Sequence, residues 1–516
     1  MSSSNRGTWA SHSTFILAAI GSAVGLGNAW RFPGLVAKHG GGAFLVAYLL
    51  AMFALGIPLL MMEVSIGRKM KSGAPNALRG LNKKFEPIGW AATANAFVIV
   101  VYYAVVFAWV ILMTVFSFKF AGLTGNTEAA SGLWADLIKT TGTVSGYGTI
   151  SWKVVACLVA AWVLIYVCIR KGTHSVGKVV KYTVFLPIIC LLAMAVKGFT
   201  MPGAGEGLKA LFIPDFSAWA SAELWIDAVG QVFYSLSIMM AIMFAYGSFL
   251  KDDSNVASDC LVIAFSDMAI SVLAGIVLFT TMYGSGMTTA DMSSSGIGTA
   301  FMIYPMTIVT LTESGVFNAF FAFLFYFCLC TLAIDSAFSI VEGVSAAVSD
   351  KFHFNKNKTT LYICLVAGVL SLFFVTGAGL AWLDIVDNWC NSFSLVLVGI
   401  LESIAVGWGF GPKKVLGEIN RNSKRFTMPS WWFTASVKFI SPAALAVFFV
   451  WNIVTLVRSG GIYGAADGYT ILSNLLGGWL IFALVFASGF IIKPISKAKE
   501  KRDPSYSQQS PNWDEM

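Results

Sequence analysis

Residues 20–33 read Ile20-Gly21-Ser22-Ala23-Val24-Gly25-Leu26-Gly27-Asn28-Ala29-Trp30-Arg31-Phe32-Pro33. The stretch is apolar enough to begin a membrane helix, yet its middle is a poor one. Gly21, Gly25 and Gly27 each cost roughly 1 kcal/mol against alanine in a helix interior. Close helix packing is the plain alternative, since glycine is common in membrane helices. Asn28 and Arg31 tilt the reading. An amide and a guanidinium within one turn are costly in lipid, so they face a cavity or the outer mouth. The stretch predicts a helix broken in its middle, with backbone groups left over at the break.

The rest of the chain supplies the membrane setting. Its 516 residues are 57% apolar, 14% aromatic and 12% charged, whereas soluble domains carry about 25% charge. Blocks such as Phe44–Met62, Ala91–Phe116, Val154–Ile169 and Leu475–Ile492 approach or exceed the roughly 18 residues that cross about 30 Å of hydrocarbon as a helix. A spanning segment must satisfy its backbone internally, which favours helix over open sheet. About twelve such segments appear, centred near residues 24, 55, 103, 160, 185, 237, 270, 333, 366, 396, 444 and 481. The expectation is an all-α membrane protein. Met1–Ser13 is polar and does not read as a cleavable leader.

The formal charge of +8 sets orientation and does not mark nucleic-acid binding. With the N-terminus placed inside, the basic clusters fall on one side: Arg6, Arg68–Lys84, Arg170–Lys181, Lys251, Lys351–Lys358, Lys413–Arg425 and Lys493–Arg502. They hold about 25 of the 34 Lys and Arg, the positive-inside pattern. Both termini are then cytoplasmic, as segments 1–10 and 494–516. The eight cysteines lie in or beside apolar segments and read as small core residues, not disulfides or metal ligands. The sequon at Asn357 falls on the cytoplasmic side. These features fit a bacterial inner membrane.

The sixth segment, Ile226–Phe249, contains Gly230-Gln231-Val232-Phe233-Tyr234-Ser235-Leu236-Ser237, a similar polar interruption at the same ordinal place after five segments. Paired interruptions in two halves point to a five-plus-five inverted repeat, here residues 11–200 and 223–410, with a site at the membrane midplane. Residues 429–493 then hold the last two segments. Amides at broken helix ends can bind a carboxylate, and carbonyls there can coordinate a cation.

The motifs resemble those of the neurotransmitter:sodium symporter family. GSAVGLGNAWRFP at 21–33 is followed by GGGAF at 40–44, Gly56-Ile57-Pro58, Glu63 and Tyr102-Tyr103. Then come Gly230-Gln231-Val232-Phe233, Ile334-Asp335-Ser336, Glu342, Asp387 and Glu402, so the resemblance covers nearly the whole chain. It implies the fold of that family's bacterial leucine transporter, with twelve helices of which the first and sixth are broken, and it implies two sodium sites. The first would use the Ala23 carbonyl, the Asn28 side chain, Ser235, Asp267 and the carboxylate of the substrate. The second would use carbonyls of Gly21, Val24 and Leu332 with the side chains of Asp335 and Ser336. All-oxygen sets of this kind suit a hard cation. The substrate's α-carboxylate would meet amides near Leu26 and Gly27 and the Tyr103 hydroxyl. Its amine would meet carbonyls of Ala23, Tyr234 and Ser235 and the Ser237 hydroxyl. Ile99, Tyr234, Met240, Ser336 and Ser339 would shape the side-chain pocket. Arg31 and Asp387 resemble an outer gate, with Tyr234 as lid. Arg6 and Asp350 resemble an inner gate, with Trp9 beside them.

Three departures from the family pattern sharpen these expectations. Ser237-Ile238-Met239-Met240-Ala241 lacks the glycine that relatives carry in the sixth break, which makes a shorter break or a tighter pocket the expectation. Phe249 stands where the bacterial leucine transporter has an inner-gate tyrosine. Asp267 and Ser271 stand where chloride-dependent members have asparagine and serine, with Tyr48, Gln231 and Ser235 matching the other chloride-site positions. A fixed Asp267 carboxylate would supply the charge that chloride otherwise brings, so chloride is not expected to be required. The implied function is sodium-coupled import of a neutral, apolar amino acid. A transporter-like receptor or channel without uphill flux is the alternative. No Ser/His/Asp or metal constellation suggests an enzyme. Ser22-Ala23, in place of an aspartate, argues against monoamine substrates. The expected partners are the amino-acid substrate and the lipid bilayer, with a homodimer left open and nucleic acid excluded.

Overall fold

The computed structural model describes residues 8–292 and 295–502. Among them, ten helices are long and apolar enough to cross a membrane, and a bent pair makes up to eleven. The pair is α1 (His12–Ala23) and α2 (Gly27–Lys38), bent by 51°. Then follow α3 (Gly42–Met70), α4 (Glu86–Val115), α5 (Trp152–Ile169) and α6 (Thr173–Phe199). Two shorter helices come next, α7 (Ala222–Ser235) and α8 (Ile242–Ser248). The series closes with α9 (Val256–Gly284), α10 (Gly315–Phe352), α11 (Lys356–Val375), α12 (Gly379–Phe410), α13 (Ser430–Arg458) and α14 (Ile471–Ile495). Ten of the twelve segment centres read from hydropathy lie within these helices, and those near 24 and 237 fall in the breaks between α1 and α2 and between α7 and α8. The interrupted pair α7 and α8 stands outside the count of eleven because its halves are short and six residues, 236–241, separate them. The expected inner-gate residue Arg6 lies outside the described residues.

Large apolar side chains stay exposed along single faces, such as Val159, Val163 and Val167 on α5 and Tyr362, Val366 and Val369 on α11. These spacings of three and four keep one stripe of each helix toward lipid. The inward stripes hold the core. Helices α4 and α10 pack against each other and bring Tyr103, Asp335 and Ser336 to the first break.

Both breaks have visible causes. Helix α1 starts on Ser11, whose hydroxyl accepts the Thr14 N–H at 3.2 Å. It stops at Val24, which leaves the helical region at φ −79°, ψ 95°. Beyond it, the Asn28 side-chain oxygen accepts the Gly25 N–H at 2.9 Å, so the polar residue of the motif caps the second half. Residues 236–241 separate α7 from α8. Ser237, Met239 and Ala241 there take φ of 52°, 64° and 61°, in the left-handed region that costs an L-residue roughly 1–2 kcal/mol. Tertiary contacts hold them. Glu63 Oε1 accepts the Met239 N–H at 2.6 Å, and Ser237 Oγ donates to the Ser22 carbonyl at 2.8 Å. The sixth break therefore forms without glycine, and the missing glycine does not abolish it. Ala241 is fully buried. Ala241→Val puts a β-branched side chain on this backbone, and a loss of about 2 kcal/mol is expected, read as a lower thermal unfolding temperature in detergent.

Candidate functional site

The two breaks meet at the middle of the bundle, and the expected second sodium set gathers beside the first. A Cβ built on Gly21 would lie 2.5 Å from Asp335 Oδ2 and 3.1 Å from Val184. Glycine there lets the carboxylate sit directly on the helix backbone. Asp335 is buried, and its Oδ1 has no hydrogen-bond partner among the described residues. On the next residue, Ser336, Oγ lies 3.5 Å from the carbonyls of Ser22 and Leu332. Val24 closes the set at the helix end.

The expected first set lies across the break, on α9. Asp267 is fully buried. Its Oδ1 accepts from Asn28 Nδ2 at 2.6 Å and its Oδ2 from the Tyr48 hydroxyl at 3.1 Å. Tyr48 Oη is 3.2 Å from Ser235 Oγ, and Asn28 Nδ2 also reaches Ser271 Oγ at 2.8 Å. Gln231 is fully buried in the same region and its Nε2 has no partner among the described residues. The structure thus brings together Asn28, Tyr48, Ser235, Asp267 and Ser271, drawn from four helices. Ala23, the remaining member of the set, ends α1. Neither Asp267 nor Asp335 forms an ion pair with any described side chain. A lone buried carboxylate is costly without a compensating cation.

A cavity of about 270 Å³ descends from the loop residue Tyr463 to the first break. Its floor includes Leu26, Gly27 and Tyr103, and its walls include Arg31, Tyr234, Asp384 and Asp387. The Tyr103 hydroxyl is buried with no hydrogen-bond partner among the described residues. A Cβ on Gly25 would come 3.8 Å from that hydroxyl and 2.6 Å from Ser336 Oγ. Ile99, Ser237, Met240 and Ser339 are buried outside this lining. Ser339 is engaged elsewhere, donating to the Asp335 carbonyl at 2.6 Å and lying 2.6 Å from the Tyr246 hydroxyl.

The outer-gate residues share the cavity but do not pair with each other. Arg31 donates to Gln231 Oε1 at 3.0 Å, stands 3.8 Å from Asp227 and lies over the Tyr234 ring at 5.6 Å. Asp387 instead accepts from the Tyr234 hydroxyl at 3.1 Å and from Asn391 Nδ2 at 2.8 Å. These nearer polar partners satisfy both groups, which is why the pair is not made. Trp9 is buried, donating its N–H to the Phe249 carbonyl at 3.2 Å and its indole Nε1 to the Tyr246 carbonyl at 3.1 Å. Its ring meets Phe249 edge-on at 6.0 Å, so phenylalanine packs at the position where the resemblance set a tyrosine of the bacterial leucine transporter. Asp350 accepts the Gly73 N–H at 2.8 Å.

Several site residues escaped the sequence reading. Asn391 donates to the Tyr102 hydroxyl at 3.1 Å as well as to Asp387, joining α4 to α12 at the gate. Its spacing of four from Asp387 was the available signal. Asp227 binds His39 at 2.7 Å and Lys38 at 3.2 Å, and Asp384 accepts from Tyr469 at 3.1 Å and Tyr463 at 3.3 Å. His12 meets Asp259 at 2.7 Å. Of the remaining buried acids, Glu342 pairs with Lys356, whereas neither carboxyl oxygen of Glu402 has a hydrogen-bond partner among the described residues.

Known proteins are similar to this chain in sequence and in fold. The model of the sodium:neurotransmitter symporter family matches residues 6–124 and 121–492. An uncharacterised sodium-dependent transporter of Methanocaldococcus jannaschii is 31% identical over 97% of this chain and 100% of its own length. The human sodium- and chloride-dependent GABA transporter 2 is 30% identical over 80% of this chain and 75% of its own. Among solved structures, MhsT in complex with L-phenylalanine superposes with a TM-score of 0.74 at 27% identity, covering 86% of this chain and 99% of its own. The fold is therefore that of the leucine-transporter class, and these relatives are transporters. The chain is a multi-pass membrane protein that belongs to the sodium:neurotransmitter symporter family.

Proposed function

We propose that this sodium-coupled transporter imports a neutral, apolar amino acid by alternating access, with two sodium ions and without chloride. The observation that carries the amino-acid reading is the buried, unpartnered Tyr103 hydroxyl beside Gly25 at the first break. A carboxylate placed there accepts the hydroxyl proton and the spare amides of the Leu26–Gly27 turn, a charge-assisted contact inside low dielectric. The phenylalanine in MhsT supports the substrate class. The two buried carboxylates without ion-pair partners, Asp267 and Asp335, support one sodium each. In this reading α7 and α8 are one interrupted crossing, giving twelve. Residues 11–200 and 223–410 are inverted halves, and the basic clusters keep both termini cytoplasmic.

Binding of labelled L-phenylalanine or L-leucine to purified protein tests the site. Binding should require sodium. Tyr103→Phe should weaken it about tenfold to a hundredfold, the loss of a hydrogen bond to a charged group, while leaving the thermal unfolding temperature near that of the wild type. Sodium-independent binding, or an unchanged affinity in Tyr103→Phe, rejects the placement.

A further inference from the structure

A second cavity opens sideways between α3, α7 and α13, and no part of the transport pathway described above uses it. Its volume is about 410 Å³, and its lining includes Leu50, Ala54, Ile226, Val229, Val447 and Phe448. Its single hydrogen-bonding side chain, Trp225, already donates its indole N–H to the Trp219 carbonyl at 3.2 Å. The groove is thus hydrocarbon throughout. Its rim continues the lipid-facing exterior, since Leu50 is 48% and Val447 62% exposed. Counted from the vestibule-side helix ends at Gly42 and Arg458, the rim lies roughly 12–17 Å deep at 1.5 Å per residue. That depth is inside the hydrocarbon of one leaflet.

We propose that this groove binds an acyl chain of a bilayer phospholipid, and that the chain acts on the outer vestibule through Phe448. An apolar groove in lipid offers a hydrocarbon chain no polar penalty, and close packing in the groove gains dispersion contacts. Phe448 is the shared wall, because it lines both this groove and the vestibule cavity. A Cβ on Gly230 would lie 3.5 Å from its ring and 3.7 Å from the Arg31 guanidinium. Gly230 sits one turn before the lid residue Tyr234 on α7, the same helix that contributes Ile226 and Val229 to the groove. A chain seated behind Phe448 therefore limits how far this ring and α7 can move away from Arg31.

The test uses the full-length protein in phosphatidylethanolamine and phosphatidylglycerol liposomes, with a trace of phospholipid bearing a diazirine in mid-chain. After irradiation, adducts at Leu50 and Val447 should exceed severalfold those at Val159 and Val163, which are 58% and 55% exposed on α5. Ala444 also lines the groove, and Ala444→Trp should bring groove adducts down to the level of α5 and shift the KM for sodium-driven amino-acid uptake. Ala444→Leu, a smaller filling, should do both in part and covers the case in which tryptophan fails to fold. Equal labelling of groove and α5 overturns the acyl-chain site. So does absence of groove adducts together with dimer cross-linking through Val447→Cys, which would assign the groove to a second copy of the chain. Lost labelling with an unchanged KM overturns the coupling to the vestibule.

Discussion

Replacing Asp335 by alanine is expected to stop uphill amino-acid uptake and to lower apparent sodium affinity by about two orders of magnitude or more. The reasoning starts from burial. Asp335 is 1% exposed, has no ion-pair partner among the described side chains, and has one oxygen without a hydrogen bond. Sodium in the second set would be its compensating charge, and removing one partner of a buried pair costs about 3–5 kcal/mol. That range corresponds to roughly a hundredfold or more in affinity. Gly21→Ala offers an independent route to the same site. Its methyl would fall 2.5 Å from Asp335 Oδ2, so it displaces the carboxylate without removing it, and a smaller loss is expected. Sodium titration of amino-acid binding separates these effects from misfolding, because saturating sodium should restore binding in Gly21→Ala first. Wild-type sodium affinity in Asp335→Ala would place the ion elsewhere.

The second large effect concerns chloride. Wild-type uptake should be unchanged when chloride is replaced by gluconate, because in the proposed reading the Asp267 carboxylate supplies the negative charge beside the first sodium set. Asp267→Asn keeps the shape and removes the charge. Its uptake should fall at least about tenfold in gluconate, a modest fraction of the cost of an uncompensated buried cation. Chloride should restore part of it. The groups that would receive the anion are in place: the Tyr48 hydroxyl and Ser235 Oγ at 3.2 Å from each other, Ser271 Oγ, and the unpartnered Gln231 Nε2. Collapse of wild-type uptake in gluconate would sink this proposal. Asp267→Asn with undiminished, chloride-insensitive uptake would show that the carboxylate has no electrostatic role.

How legible these features were in the sequence depended on whether their cause was local. Hydropathy located each of the ten long apolar helices, since about 30 Å of hydrocarbon must be matched by the segment itself. The break after Ala23 was legible because glycine and Asn28 act where they stand, and Asn28 caps the second half. The break at 236–241 was only half legible. Its polar residues mark the place, but nothing local announces left-handed Ser237, Met239 and Ala241. They are held by Glu63 and by the Ser22 carbonyl, distant in sequence. The same limit applies to Arg31. The family resemblance paired it with Asp387, while packing of α2 against α7 delivers it to Gln231 and Asp227. Asn391 could have been found from its one-turn spacing to Asp387, and the phenolic groups it joins could not.

The measurement closest to the centre of the account is concentrative uptake in proteoliposomes. Purified protein in potassium-loaded vesicles, diluted into sodium buffer with labelled L-phenylalanine or L-leucine, should accumulate the amino acid above its external concentration. Accumulation should collapse when sodium is equalised across the membrane and persist in gluconate. Flux that only equilibrates regardless of the sodium gradient would make the chain a channel, and sodium-dependent binding without flux would make it a receptor. Either result contradicts a sodium-coupled symporter built on the broken helices at Gly21–Asn28 and 236–241.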